Sequence, residues 1–365
     1  MRLVDLTLTN YRNCRDIRLD FGSNKILIIG KNAQGKTNIL ESIYFLSTLK
    51  SQRTANNIEL INFDASKVQI DANVVKADTD IELDYLYTRE KTRELRVNRV
   101  KTTPKNFKSV LRTVLFSTTD LLLLRGNPSD RRDWLDRAIS QVYPAYDERL
   151  SKYDKIRIQK NNFLKEGVIN DTLLDVYNEQ LTVTGSNIIY LRKKFLKEIE
   201  KIAKEKHKTI SETEDLRLEY ECSFLKDECE IEEIARVFRS SLEERRSEEI
   251  RRGQACVGPH RDDVIFYINN SEAVKYASQG QQRTIVLALK LSELDIITEK
   301  TGDEPILLLD DVLAELDDLR QNYLLKSINS QTQTVITSVD TVLFEDEFLQ
   351  DVQIYKVEQG AVKRE

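Results

Sequence analysis

Residues 30 to 37 read Gly30-Lys31-Asn32-Ala33-Gln34-Gly35-Lys36-Thr37 and follow directly on the apolar run Ile26-Leu27-Ile28-Ile29. A G-x-x-x-x-G-K-T segment behind a buried strand leaves few architectures open, because its two glycines let the backbone curl until consecutive N–H groups point inward at one anion. Ile39, Leu40, Ile43, Leu46 and Leu49 then recur at three- and four-residue steps, which predicts a helix opening on that anion. Strand, loop and helix in this order specify an α/β lobe whose ligand sits at the carboxyl ends of its strands. The ligand read from the loop is a nucleotide. The eight residues line its phosphates, Lys36 reaches the β and γ oxygens, and Thr37 offers a hydroxyl to Mg²⁺.

The rest of the chain follows two periods. Leu3, Asp5, Thr7 and Thr9 alternate with Val4, Leu6 and Leu8, and the same period of two recurs over 17–21, 68–74 and 81–87. These predict strands, and Leu95 and Val97 close a hairpin whose tip spans Thr88 to Arg93. From about Pro128 the period becomes helical. Trp134, Leu135, Ala138 and Ile139 share one face, and residues 145 to 210 hold long charged helices broken only near Asn161-Asn162, Gly167 and Ile169-Asn170-Asp171. A further helix is expected from Ile231 to Arg246. Strand signals return at Val264 to Ile268, Ile306 to Leu309, Thr334 to Thr337 and Val352 to Tyr355, with helices near 279 to 300 and 317 to 329. The expected architecture is α/β: a phosphate-loop lobe built from both chain ends, residues 1–120 and 250–365, with a mainly helical inserted domain over 121–249. Heptads are not sustained, so no long coiled coil is expected.

Of 365 residues, 40% are hydrophobic and 32% charged, and no apolar stretch approaches eighteen residues. A cytoplasmic protein without a membrane segment is expected, any membrane contact coming through a partner. The four cysteines, Cys14, Cys222, Cys229 and Cys256, include no C-x-x-C and stand at no metal spacing from His207 or His260, so free thiols are expected rather than zinc or disulfides. A net charge of −5 argues against a globally basic nucleic-acid coat but leaves room for a local one.

Ile306-Leu307-Leu308-Leu309-Asp310-Asp311 carries an acidic pair out of an apolar strand, with Asp310 expected to orient Mg²⁺ and Asp311 to polarise an attacking water. About thirty residues earlier, Ala277-Ser278-Gln279-Gly280-Gln281-Gln282-Arg283 opens a helix and resembles the S-x-G-Q signature of ATP-binding-cassette ATPases. An ordinary polar helix cap is the plain alternative for Ser278. Phosphate loop, signature, acidic strand and Ala314-Glu315-Leu316-Asp317, similar to a D-loop, follow in the order of that class. The resemblance implies that Ser278, Gly280 and Gln281 complete the nucleotide site of a second subunit, so that ATP joins a homodimer.

Four further segments narrow the resemblance. They are Tyr11-Arg12-Asn13, the stretch from Phe116 to Leu121, the run Gly126-Asn127-Pro128-Ser129-Asp130-Arg131-Arg132-Asp133-Trp134-Leu135-Asp136, and Gly258-Pro259-His260-Arg261-Asp262-Asp263. Together they resemble the RecF family of bacterial recombination mediators over nearly the whole chain. The resemblance implies an ABC-type ATPase head of the SMC kind without the long coiled coils, in which Arg12 and Asn13 join the nucleotide site and Lys36, Ser278 and Asp311 serve hydrolysis. It also implies sequence-independent binding to duplex DNA and to single-strand/duplex junctions. Partners would be a second copy, RecR and RecO, acting to load RecA in the repair of single-strand gaps, with slow, DNA-stimulated hydrolysis releasing dimer and DNA.

Asp311 stands where transporters carry Glu, and Ser338 where a switch His is usual, so weak hydrolysis is expected. No Gln follows Phe116 to read Mg²⁺. His260 is open to a catalytic role or to fixing Asp262 or Asp263, and Arg131 and Arg132 to phosphate contact or to a helix-start pair with Asp133 or Asp136. For DNA, Arg89, Lys91, Arg93, Arg96, Arg99 and Lys101, with Lys105 and Lys108, decorate the hairpin and its exit and are expected to meet backbone phosphates. Arg192, Lys193, Lys194, Lys197, Lys201, Lys204, Lys206 and Lys208 form a second basic face, for which DNA and a solvated, ion-paired surface account equally. The rival functions are the energy subunit of a transporter and an ATP-binding scaffold that does not hydrolyse.

Overall fold

The computed structural model describes residues 1–167, 170–225, 230–328 and 331–365; Ile169, Cys229 and Asn329, the end of one expected helix, lie outside the described residues. The first elements are β1 (Arg2–Tyr11), β2 (Cys14–Asp20), β3 (Lys25–Ile29), α1 (Lys36–Thr48), β4 (Lys67–Lys76), β5 (Thr79–Thr88), β6 (Arg93–Val97), β7 (Val100–Lys101), α2 (Pro104–Lys108) and β8 (Thr113–Ser117). Then come α3 (Pro128–Val142), α4 (Tyr146–Lys165), α5 (Asp171–Ile210), β9 (Leu216–Glu221), α6 (Ile231–Glu244), α7 (Arg246–Arg252), β10 (Asp263–Ile268), β11 (Ser271–Glu272) and α8 (Ala273–Tyr276). The last are α9 (Gln279–Thr301), β12 (Ile306–Asp310), α10 (Asp318–Ser327), β13 (Thr334–Ser338), α11 (Asp346–Leu349), β14 (Val352–Glu358) and β15 (Ala361–Arg364). They form two compact units, Met1–Leu121 with Leu289–Glu365, and Leu122–Ala288.

In the first unit, a six-stranded sheet has the order β15-β14-β3-β13-β12-β8, all parallel except the edge strand β15. Parallel strands are covered on both faces, so they read as unbroken apolar runs, and Ile26 to Ile28 and Ile306 to Leu309 are accordingly all buried. The second sheet, β2-β1-β4-β5-β6-β7, is antiparallel and shows the alternation expected of its sequence. One slip occurs. A bulge between Leu3 and Asp5 turns Leu3, Leu6 and Leu8 all to the core, breaking the strict period of two read along β1. The tight turns at Ala77-Asp78 and Asn98-Arg99 hold positive φ at both residues, the geometry that matches the twist of a two-residue hairpin.

The second unit packs α5, 40 residues long and so about 60 Å, against α4, α6 and β9. Here the expected boundary shifts. β10 pairs with β9 in register from Asp263↔Glu221 to Ile268↔Leu216, so the strand expected to return the chain to the lobe near residue 250 belongs to the second unit, which ends at Ala288. Among the described residues no helix is long and apolar enough to cross a membrane.

Candidate nucleotide site

Gly30 leaves β3 at φ +154°, where a Cβ would stand 2.5 Å from the Val357 carbonyl oxygen of β14, so only glycine fits. Its N–H donates to the Ser338 carbonyl at 3.3 Å, which pins the loop between β14 and β13. Ala33 at φ +63° and Gly35 at φ +119° complete the curl. Gly35 caps α1 without a side-chain hydrogen bond, leaving the first N–H groups of the helix, at the positive end of its dipole, for a ligand. Gln34 is held from outside. Its side chain accepts the Gln359 N–H at 2.6 Å, and its carbonyl accepts the Gly360 N–H at 3.0 Å and Asn13 Nδ2 at 3.3 Å. Asn13 Oδ1 also accepts Asn38 Nδ2 at 2.6 Å, so Asn13 braces the loop from behind. Lys36, 3% exposed, donates to the carbonyls of Gly30 at 2.7 Å and Lys31 at 3.3 Å.

Across the sheet, Asp310 is paired in register with Thr337. Its Oδ1 accepts from Thr37 Oγ1 at 3.0 Å and Thr337 Oγ1 at 2.9 Å, and Thr337 Oγ1 accepts the Asp311 N–H at 2.8 Å. Thr337 was not foreseen as a site residue; its only signal is a hydroxyl at the end of an apolar strand. Burial pushes the Asp310 carboxyl up from its ordinary value, the two threonine hydroxyls oppose this, Asp311 adds to it and Lys36 opposes. A buried carboxylate beside a hydroxyl, both oxygen donors, suits a hard divalent cation, so Thr37 and Asp310 fit Mg²⁺. Among the described residues no three His, Cys, Asp and Glu side chains gather at metal distance, and a cation carried by nucleotide phosphates needs no such cage. Asp311 turns out of β12 at φ +50°, with Oδ2 4.0 Å from Lys36 Nζ.

A cleft of about 1040 Å³ runs from this loop past Arg12 and Arg53 to Ile58, Phe63 and Arg89, with Asp311 in its wall, which is room for a nucleoside triphosphate. Lys31 and Asn32 are exposed, and Asn32 lines the cleft. Arg12 Nε and Nη2 donate to Glu41 Oε2 at 2.5 Å and Oε1 at 2.7 Å, so its orientation is set before any ligand arrives. Glu41, 4% exposed on α1, is a site residue that periodicity hides, because it lies on a buried helix face. Arg89, expected on a DNA surface, lies in this wall and donates to the carbonyls of Ala65, Asn62 and Phe63 at 2.7, 3.1 and 3.0 Å.

In the second unit, Ser278 Oγ accepts the Gln281 N–H at 3.2 Å while Gln281 Oε1 accepts the Ser278 N–H at 2.7 Å. This is a capping box, so the plain cap reading of Ser278 describes its present geometry. It leaves an anion role open, because the hydroxyl proton, Gly280 and the helix dipole stay available. Gln281 Nε2 reaches Glu214 Oε1 at 2.8 Å.

On the hairpin, Arg96 and Lys101 pair with Glu94 at 2.8 and 3.4 Å and Arg99 with Glu82 at 3.0 Å; Arg93 opposes Tyr87 beside the tip that carries Lys91. On α5, Lys194, Lys197, Lys201, Lys204 and Lys208 are exposed at alternating steps of three and four, one straight stripe. Arg192 leaves that face: it is buried, bidentate with Asp136 at 2.8 Å twice, and bonded to the Pro259 carbonyl at 2.6 Å. Arg131 pairs with Asp263 at 2.8 and 2.7 Å rather than with Asp133 or Asp136. Arg132 donates to the Asp262 carbonyl at 2.7 Å, and His260 Nδ1 lies 2.7 Å from Tyr153 Oη, so it fixes neither Asp262 nor Asp263.

Residues 2–363 match the family described as RecF/RecN/SMC N terminal domain. The chain is 39% identical over 369 residues to the DNA replication and repair protein RecF of Bacillus subtilis (strain 168), covering 99% of this chain and 100% of that one. RecF of Geobacillus kaustophilus (strain HTA426) is 38% identical, covering 99% of each. A solved structure described as the recombination mediator protein RecF-ATP in the RecFOR pathway superposes with a TM-score of 0.91 at 33% identity, over 100% of this chain and 97% of that one. An SMC head bound to the C-winged helix domain of ScpA, at TM-score 0.57 and 13% identity over 100% of this chain and 98% of that one, shares the fold.

Proposed function

The chain belongs to the RecF family, and from that premise we propose that it is a slow ATPase that closes as a homodimer on ATP and DNA in the repair of single-strand gaps. It has the SMC-head ATPase fold, and RecF proteins act in DNA replication and repair. Solved relatives are described as RecF with ATP or ATPrS in the RecFOR pathway, which supports ATP as the nucleotide here and RecO and RecR as partners; loading of RecA is the task we assign to that assembly. The observation that carries the reading is the convergence of Lys36, Thr37 and Asp311 on one cleft, with Asp310 bonded to Thr37 beside it.

We assign nucleotide handling to the first unit. Lys36 would turn from its two carbonyls to the β and γ oxygens, and Thr37 and Asp310 would hold Mg²⁺. Bound there, the cation neutralises charge on the β- and γ-phosphates. Asp311 orients the attacking water and accepts its proton. Its side chain is short and its backbone left-handed, so the water is held loosely and turnover is slow. Ser278, Gly280 and Gln281 of a second copy would bring a helix N-terminus to the γ-phosphate, so that neither copy is complete alone. DNA phosphates would meet the hairpin around Lys91, Arg93 and Arg96, and the α5 stripe offers a second surface, all without base reading. A transporter subunit is disfavoured by the family. A non-hydrolysing scaffold differs only in turnover.

Ser278→Arg tests the composite site. The variant should bind ATP as a monomer, and light scattering should detect no ATP-dependent dimer; a dimer that still forms removes the composite reading and leaves residues 277–283 as a helix start.

A further inference from the structure

Two sequence blocks that the nucleotide site does not use, one around Arg132 and the other around His260, meet in a cleft of about 440 Å³ within the second unit. Its walls include Arg132 from α3, Tyr153 and Arg157 from α4, and Pro259, His260 and Arg261 from the loop before β10. The framework is rigid. Arg131 clamps Asp263, Arg192 clamps Asp136 and the Pro259 carbonyl, and Gly258 presses so close to α4 that a Cβ would meet Tyr153 Oη at 2.3 Å.

The cations lining this cleft are all arginines, and the acids do not cancel them evenly. Asp136 is taken by Arg192 and Asp154 pairs with Arg157 at 3.0 Å, which leaves Asp133, whose carboxyl burial pushes up. Arg132 and Arg261 bond instead to carbonyls, those of Asp262 at 2.7 Å and Ala255 at 3.2 Å, so their charge is solvated but not neutralised by these contacts. His260 registers that field. Its pKa is lowered to about 3, chiefly by burial, with the Ala255 carbonyl opposing and Arg157, Arg261 and Arg132 each adding to the drop. A planar guanidinium fork matches two oxygens of a phosphate, which a lysine cannot do.

We propose that this cleft is a second anion site, which receives a phosphate group, of a free phosphate compound or of a DNA strand, between Arg132, Arg157 and Arg261. The inference stands apart from the nucleotide site.

The chain has only two histidines, His207 and His260, so imidazole NMR signals report the cleft directly. The experiment is run on the Lys36→Ala protein, in which the phosphate loop is disabled. Inorganic phosphate and a single-stranded oligothymidylate are titrated separately. A saturable shift of the His260 signals is expected, with affinity falling on the order of tenfold or more in Arg261→Gln and less in Arg261→Lys. Arg157→Gln gives an independent reading should the first variant fold poorly. Saturation by phosphate alone supports a small-anion site, and tighter saturation by the oligonucleotide supports a strand phosphate. A linear drift without saturation, or an affinity in both glutamine variants equal to that of the parent Lys36→Ala protein, overturns the proposal.

Discussion

Lys36→Ala removes an ammonium that is almost wholly buried, yet whose carboxylate neighbour, Asp311, stands 4.0 Å away. Its close partners are two carbonyl oxygens at 2.7 and 3.3 Å. Lys36 itself lines the open cleft, so water can take the place of the ammonium once it is gone, and the expected loss of stability is only about 1–2 kcal/mol, a few degrees in melting temperature. Nucleotide binding has no such replacement. Two charge-assisted hydrogen bonds to phosphate oxygens, ~1.5–3 kcal/mol each, set the loss at roughly 100-fold in Kd or more. Titration with a fluorescent ATP analogue, beside thermal unfolding of the same samples without ligand, separates the two quantities. An affinity within threefold of wild type refutes the argument. So does a large affinity loss accompanied by an equal loss of stability, which would mean that Lys36 serves only to tie the loop.

Asp310 has a folded pKa raised above its unfolded value of 3.8, so the folded protein holds that proton more tightly and stability falls as pH rises through the raised value. Asp310→Asn should therefore melt higher than wild type at pH 7 without nucleotide, lose that advantage near pH 3, and lose Mg²⁺-dependent turnover; an unchanged or lower melting point at pH 7 counts against the burial argument. Asp311→Asn should keep nucleotide bound and slow hydrolysis, since asparagine tolerates the left-handed backbone but cannot take a proton from water. Turnover equal to wild type would assign the water to another residue. Arg93→Glu with Arg96→Glu should weaken duplex binding for every sequence and reduce the salt slope by ~0.9 per lost phosphate contact; an unaltered slope would move the DNA surface to the α5 stripe.

What was legible in the chain was local. The phosphate loop, the apolar strands Ile26–Ile29 and Ile306–Leu309 and the hairpin at 81–97 each announce themselves within one window, because parallel strands are buried on both faces and hairpin strands alternate. What stayed hidden depends on register between distant segments. Thr337 reaches Asp310 only because β13 and β12 pair residue for residue, and Glu41 meets Arg12 only because α1 packs near the end of β1. Arg131 finds Asp263, 132 positions away, although nearer acids lie on its own helix. β9 is the clearest miss. Leu216 and Leu218 alternate with Arg217 and Glu219 in a charged stretch after a 40-residue helix, and without them β10 had no visible partner outside the lobe.

The seating of β3 between β13 and β14 also sets an order of events during synthesis. Thr334 follows Ile29 by 305 positions, so at ~5–20 residues per second a nascent β3 waits roughly 15–60 s for its first neighbour in the sheet, with both apolar edges open to mispairing. Residues 122–288 are contiguous and meet no such delay. The phosphate loop waits longest of all. Val357 approaches Gly30 and Gln359 and Gly360 hold Gln34, so a chain released at residue 351 would lack the strand and turn that give the loop its shape. The loop therefore reaches its final shape only after the codons for β14 and the turn behind it have been read, so its competence as an anion cradle reports on synthesis through Gly360.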